Sequence, residues 1–448
     1  MTLGFVRPGY ERVREAFETG APTFGRGGGA YCAYVDGEPV IDLWAGTARP
    51  GTPWEAGTTT VIMSATKGLV ALCVQMLVDR GELDLDAPVA TYWPEFGQNG
   101  KESTLVRHVM LHTAGVLGFP GQTDLLNFDG TGWDDYEAIA AGFAASAPEW
   151  EPGSKHGYHA LSFGWLAGEI VRRASGRSVG TYFQEEIAGP LGIECWIGTP
   201  SDELRRVARV HKTRVDHLPG FLRKAYEGAE RVASDPTTLS GRAFLGGNGT
   251  SGISALELLF NNPKVLGAEF PAGGATSTAR ALARLWAVLA ADGELDGKRL
   301  FSRESVAQWG EIASNTPDVL MAEVPLPRML AGKEASVPRT LGYLGNGAMP
   351  GLGHRFGPNP DAFGAEGLGG QFAFCDRRSR IAVGYVRSDL AMIDVLQPTL
   401  TPLVYECASR LGHDVYVPAP VGLPKRLVGR AAGALLRRRV AVRPAPES

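Results

Sequence analysis

Val61-Ile62-Met63-Ser64-Ala65-Thr66-Lys67-Gly68-Leu69-Val70 is the stretch from which the fold can be read. It sets a serine three residues ahead of a lysine. The apolar residues Leu69, Val70, Leu72, Cys73, Met76 and Leu77 then recur at helical spacing as far as Gly81, a stop residue. The spacing predicts a helix over residues 64–80 with Ser64 at its start. Positions i and i+3 share a helix face, so the Lys67 amine can approach the Ser64 hydroxyl. A serine hydroxyl is a weak nucleophile unless a base stands beside it. Lysine is such a base only where burial or other cations keep it neutral near pH 7. The free N–H groups and positive dipole end of a helix N-terminus also favour negative charge developing there. A lone Ser-x-x-Lys fits a capping serine and a surface lysine equally well, so the pair takes its meaning from its surroundings.

Toward the N-terminus, residues 11–19 read as a helix. A glycine-rich turn at residues 25–29 follows, and then Ala30-Tyr31-Cys32-Ala33-Tyr34-Val35 and Pro39-Val40-Ile41-Asp42-Leu43-Trp44 flank Asp36-Gly37-Glu38, a hairpin signal. Toward the C-terminus, helical spacing recurs at residues 105–111, 161–174, 179–187 and 278–291. A second hairpin joins Gln371-Phe372-Ala373-Phe374-Cys375-Asp376 to Ile381-Ala382-Val383-Gly384-Tyr385-Val386, and residues 401–411 read as a closing helix. The predicted architecture is α+β: an antiparallel sheet built from both chain ends, flanked by helices, with a mainly helical subdomain at about residues 69–275 inserted between them. The catalytic unit is expected over residues 1–417 and a basic tail over residues 418–448.

With 448 residues the chain exceeds a single core of about 250 to 300 residues. A net charge of -4 is small for that length and gives no reason to expect nucleic acid. The five cysteines, Cys32, Cys73, Cys195, Cys375 and Cys407, have neither metal spacing nor a disulfide framework. They read as buried thiols of a reducing compartment. The first residues lack the apolar core of a secretory signal, and no apolar run approaches the roughly 20 residues of a membrane span. A soluble, cytoplasmic protein is the expectation. The histidines His108, His112, His156, His211, His217, His354 and His413 show no metal spacing, and no phosphate loop is present. No metal and no cofactor are expected. The tail after Val417 is first proline-rich and then rich in arginine among Ala, Leu and Val. It reads either as a solvated end or as a basic amphipathic helix making weak contact with an anionic membrane surface.

The order of the remaining motifs is more specific. Asp79-Arg80-Gly81-Glu82-Leu83-Asp84-Leu85-Asp86 is followed by Tyr92-Trp93-Pro94-Glu95-Phe96, by His112-Thr113-Ala114-Gly115, by Trp150-Glu151-Pro152-Gly153 and by Lys155-His156-Gly157-Tyr158-His159-Ala160. Over residues 10–412 the chain resembles the superfamily of serine β-lactamases, penicillin-binding proteins and carboxylesterases, in particular the esterase-like branch related to class C β-lactamases. The resemblance implies a β-lactamase-like fold. It also implies Ser64 as nucleophile, Lys67 as base and Tyr158 as the proton relay to the leaving group. The backbone N–H groups of Ser64 and Leu368 would form the oxyanion hole, and Ala272-Gly273-Gly274 resembles a loop beside the pocket.

Two departures narrow the substrate. The β-lactamase form of the tyrosine element is Tyr-x-Asn, whereas position 160 here is Ala160, so the amide that would hold a β-lactam or peptide is absent. The family's last strand carries Lys-Thr-Gly or His-x-Gly, whereas here it reads Ala365-Glu366-Gly367, with the basic position lost and an acid introduced. Gly367, Glu366 and His159 are the residues expected to meet substrate. The activity so implied is a serine hydrolase cleaving a small-molecule carboxylic ester, or amide, through an acyl-enzyme on Ser64. Transfer of the acyl group to an amine or alcohol is the first alternative, and a catalytically silent binding protein on the same scaffold is the second. Oligomeric state is not legible in these residues.

Overall fold

The structure is a computed structural model that describes residues 2–213, 220–247, 251–324, 336–349, 353–392 and 394–416. The basic tail expected over residues 418–448, and His217, lie outside the described residues.

Seven strands form one antiparallel sheet from both chain ends, as the two hairpins predict. They are β1 (Leu3–Val6), β2 (Gly28–Val35), β3 (Glu38–Arg49), β4 (Leu344–Gly345), β5 (Phe363–Gly367), β6 (Gln371–Asp376) and β7 (Ile381–Arg387), in the order β1-β3-β2-β7-β6-β5-β4. A short strand, Thr52–Pro53, pairs with β3 beside this row. Asp36 and Gly37, both with positive φ (50° and 82°), close the first hairpin, the backbone that an Asp-Gly pair favours. The two chain ends meet at the β7/β2 seam, where Val383 faces Ala33.

All eight residues of β2 are buried, because helices cover both faces of the sheet. Tyr31, Ala33 and Val35 join Phe372, Phe374, Val383 and Tyr385 in one core, together with α1 (Glu11–Gly20) and the closing helix, Gln397–Arg410. Cys32 and Tyr34, on the opposite face, join the larger core, which holds α2 (Thr66–Asp79), α3 (Ser162–Ser175) and α4 (Ala279–Ala290). The period of two along each strand thus feeds two separate cores. Gly384 lets α4 lie close on β7: a β-carbon there would come within 2.3 Å of the Ala279 carbonyl oxygen. The five cysteines are buried, free thiols.

The predicted helices at 105–111, 161–174 and 278–291 appear at Val106–Met110, Ser162–Ser175 and Ala279–Ala290. The one at 179–187 is α-helical over Val179–Phe183 and continues as a π turn, Gln184–Ala188. The closing helix, α5, begins at Gln397 rather than at residue 401. Pro398 sits in its first turn, where the missing N–H has no intrahelical partner to lose, and Pro402 is accommodated inside. Among the described residues no helix is long and apolar enough to cross a membrane.

Candidate active site

Ser64 precedes the regular helix. It sits in a 3-10 turn, Met63–Ala65, that runs into α2, and neither N-cap there makes a side-chain capping bond. The hydroxyl is therefore not used as a cap. Met63 is held in the left-handed region at φ 51°, a costly conformation for a non-glycine residue. That kink turns the chain sharply just before Ser64. Loop 272–275 holds the turn in place: the Ile62 N–H donates to the Ala275 carbonyl at 2.9 Å, and the Ala275 N–H donates to Thr66 Oγ1 at 3.2 Å.

Unlike an amphipathic surface helix, α2 is buried along its whole face from Thr66 to Leu77. Lys67 is therefore inside, at 5% exposure. Its Nζ donates to Ser64 Oγ at 3.2 Å and to the Ala272 carbonyl at 2.7 Å. Burial pushes the ammonium below its ordinary value, the facing Tyr158 phenol pulls it back up, and the nearby Arg339 guanidinium pushes it down again. A lysine so placed is disposed to give up its proton. Lys67 Nζ also lies 5.1 Å from the centroid of the Tyr158 ring, so the three residues picked out by sequence converge.

Strand β5, next to the edge strand β4, closes the other side. Gly367 faces the carbonyl of Ile62, and Leu368, the next residue, is 48% exposed and lines the same cleft as Ser64. Ala365 is buried against α2: a β-carbon on Gly68 would come within 2.8 Å of its own. The cleft is narrow and is lined by Trp133, Ala160, Leu161, Leu245, Ile253, Phe260 and Phe270 with Ser64, Ala272, Gly273 and Leu368. A larger hollow of about 1060 Å³ lies along α5, between residues such as His354, Pro398 and Tyr405, and does not reach Ser64. Geometry at the nucleophile outweighs size in choosing between them.

The three residues expected to meet substrate are placed differently. His159 is fully buried, its Nδ1–H donating to the Gly157 carbonyl (2.7 Å), and packed against His112 and Trp150. Burial holds its imidazole down at about 4, so it is neutral at pH 7. Glu366 forms an ion pair with Arg355. Neither side chain lines the cleft, and Gly367 lies close against the turn that bears Ser64.

Sequence motifs did not reveal the residues behind Tyr158. Asp318 Oδ1 accepts the N–H groups of Tyr158 (3.3 Å), Leu320 (2.9 Å) and Met321 (3.2 Å). The Arg339 guanidinium lies 5.3 Å from the Tyr158 ring centroid. Both come from segments far from the motifs, with no spacing to mark them. Among the described residues no cluster of His, Cys, Asp or Glu could hold a metal ion.

Comparison with known proteins agrees with this geometry. The esterase/beta-lactamase LipL of Mycobacterium tuberculosis is 34% identical over 96% of this chain and 94% of its own. The crystal structure of a family VIII carboxylesterase superposes with a TM-score of 0.74 at 29% identity, covering 91% of this chain and 100% of the other. A penicillin-binding protein homolog from Caulobacter crescentus gives a TM-score of 0.74 at 30% identity over 91% of this chain and 100% of its own. The family model described as Beta-lactamase matches residues 13–393, and with the fold and the order of motifs this places the chain in the beta-lactamase family.

Proposed function

We propose that the protein is a serine hydrolase of carboxylic esters whose acyl part is apolar. The observation that carries this reading is the Ser64 hydroxyl, 3.2 Å from a buried lysine, at the wall of a cleft lined mainly by aromatic and aliphatic side chains. The similarity to a carboxylesterase structure and to an esterase/beta-lactamase supports it.

In this reaction Lys67, as the neutral amine, accepts the Ser64 proton while Oγ attacks the ester carbonyl. The N–H groups of Ser64 and Leu368 stabilise the resulting oxyanion, a contribution that does not depend on side-chain type. Tyr158 hands a proton to the departing alkoxide, which leaves as the alcohol, and takes back from the Lys67 ammonium the proton that came from Ser64. Water, deprotonated by the same base system, then attacks the acyl-enzyme; the Oγ–acyl bond breaks, the carboxylic acid leaves, and Ser64 Oγ takes back the proton held by the base. Ala160, which lines the cleft, offers methyl rather than amide contact, and Ala365 offers no cation for a substrate carboxylate. Both features favour a simple ester over a β-lactam.

The test is turnover of p-nitrophenyl esters of increasing acyl length alongside a chromogenic β-lactam. Hydrolysis of the esters with little β-lactam cleavage supports the proposal; no ester hydrolysis by a folded protein overturns it. Added amines or alcohols show whether the acyl group passes to water or to another acceptor, read as the ratio of amide or new ester to free acid.

A further inference from the structure

The family's strand cation is missing at Ala365, yet the site is not without a second positive charge. Arg339 reaches it from a different part of the chain. Its backbone is fixed by exchange with Ser314, the N–H donating to the Ser314 carbonyl at 2.8 Å and the Arg339 carbonyl accepting from the N–H groups of Ala313 and Ser314. The side chain is buried, at 5% exposure, and its Nε has no hydrogen-bond partner. Its ion pair with Asp318 is long, 3.9 Å from Nη2 to Oδ2, and that carboxylate is already engaged with three backbone N–H groups. The guanidinium instead lies against the ring of Tyr158, on which Lys67 also bears.

Among the described residues, the charged and titratable groups around this point are few. His112, His156 and His159 are pushed below the ordinary histidine value by burial first and by Arg339 in addition, and are neutral near pH 7. Arg355, the other nearby cation, is paired with Glu366. Among the described residues Asp318 is the carboxylate that faces Arg339, with His156 Nδ1 3.4 Å from its Oδ2. The local balance therefore lies between Arg339, Asp318 and the Lys67–Tyr158 pair.

We infer that Arg339 is a positioning residue that supplies, from outside the motif set, the positive charge absent at Ala365, and thereby biases Lys67 toward the neutral amine that deprotonates Ser64. Two buried cations sharing one phenol repel each other, and the guanidinium cannot give up its proton, so the lysine does. This inference rests on the ester-hydrolase reading above.

The experiment is the pH profile of kcat/KM on a p-nitrophenyl ester for the wild type, Arg339→Met, Arg339→Lys and Asp318→Asn. The acidic limb of that profile reports the base in the free enzyme. Arg339→Met should move the limb to higher pH, with a loss of about tenfold at pH 7, and Arg339→Lys should restore it. Asp318→Asn, which removes the anion, should move it the other way, to lower pH, and so provides the test if Arg339→Met fails to fold. A limb that stays in place in Asp318→Asn and in the folded Arg339 variant, with kcat/KM lowered uniformly across pH, overturns the inference and leaves Arg339 a packing residue. A wild type that turns over no ester removes the hydrolase reading itself and this inference with it, whereas an active wild type with immovable limbs removes this one alone.

Discussion

Gly367 faces Ile62 so closely that a β-carbon on the glycine would lie 2.2 Å from the Ile62 carbonyl oxygen. Strand β5 and the turn bearing Ser64 are therefore pressed together at the one point where the two N–H groups of the proposed oxyanion hole must converge. Gly367→Val should force them apart. We expect kcat to fall by about 100-fold or more, the scale of losing one oxyanion donor, while KM changes less. Turnover comparable to wild type in Gly367→Val would show that the spacing is unimportant.

Lys67 is buried and makes its two hydrogen bonds inside the protein. Lys67→Met keeps most of its volume and removes the base. Activity should drop by about 100- to 10,000-fold, the range for losing a general base, with the melting temperature held or raised because a buried amine no longer has to be accommodated. Calorimetry together with ester turnover checks both halves. Near-normal turnover would assign the base elsewhere.

Phe260 and Phe270 stack at the cleft wall with their rings 15° from parallel and 6.1 Å apart. Phe260→Ala should open the cleft. The ratio of kcat/KM for an octanoyl ester to that for an acetyl ester should rise about tenfold, the lower end of the roughly 10- to 200-fold that one methylene is worth in an apolar pocket. An unchanged ratio would place the acyl chain outside this cleft.

Burial holds His156 down at about 3 and His159 at about 4, against an ordinary 6.5. Above that value both rings are neutral, folded or unfolded, and exact no penalty. As pH falls below it the unfolded chain takes up protons that the folded protein refuses, so stability declines progressively toward pH 4. The loss is on the order of 2 kcal/mol per histidine at pH 5. Melting curves from pH 7.5 to 5 should therefore steepen in the wild type and flatten in His159→Gln. Parallel curves for the two proteins would contradict the assignment.

The residues legible in the sequence are those whose roles are local. Ser64 and Lys67 are one turn apart, Asp36-Gly37 turns its own hairpin, and the alternation of β2, β6 and β7 shows at a glance. Leu3–Val6 escaped notice because its side chains are mostly exposed and show no alternation; only its register against β3, with Phe5 opposite Asp42, makes it a strand. Pro398 and Pro402 masked the start of α5. Asp318 and Arg339 acquire their place only when distant segments fold against Tyr158, and the cleft likewise draws on Trp133, Ile253 and Phe270 together. No local pattern encodes such convergence. His159 and Glu366 illustrate the reverse: adjacency to a motif put them in view, while their side chains are engaged elsewhere, His159 with the Gly157 carbonyl and Glu366 with Arg355.

Ser64 as the acylated residue is the claim on which the rest depends. Labelling the protein with a fluorophosphonate probe, digesting it and locating the adduct by mass spectrometry tests it most directly. The account predicts a single adduct on Ser64, strongly reduced in Lys67→Met and absent in Ser64→Ala. No adduct on Ser64 in the folded wild type, or labelling unaffected by loss of Lys67, would contradict it.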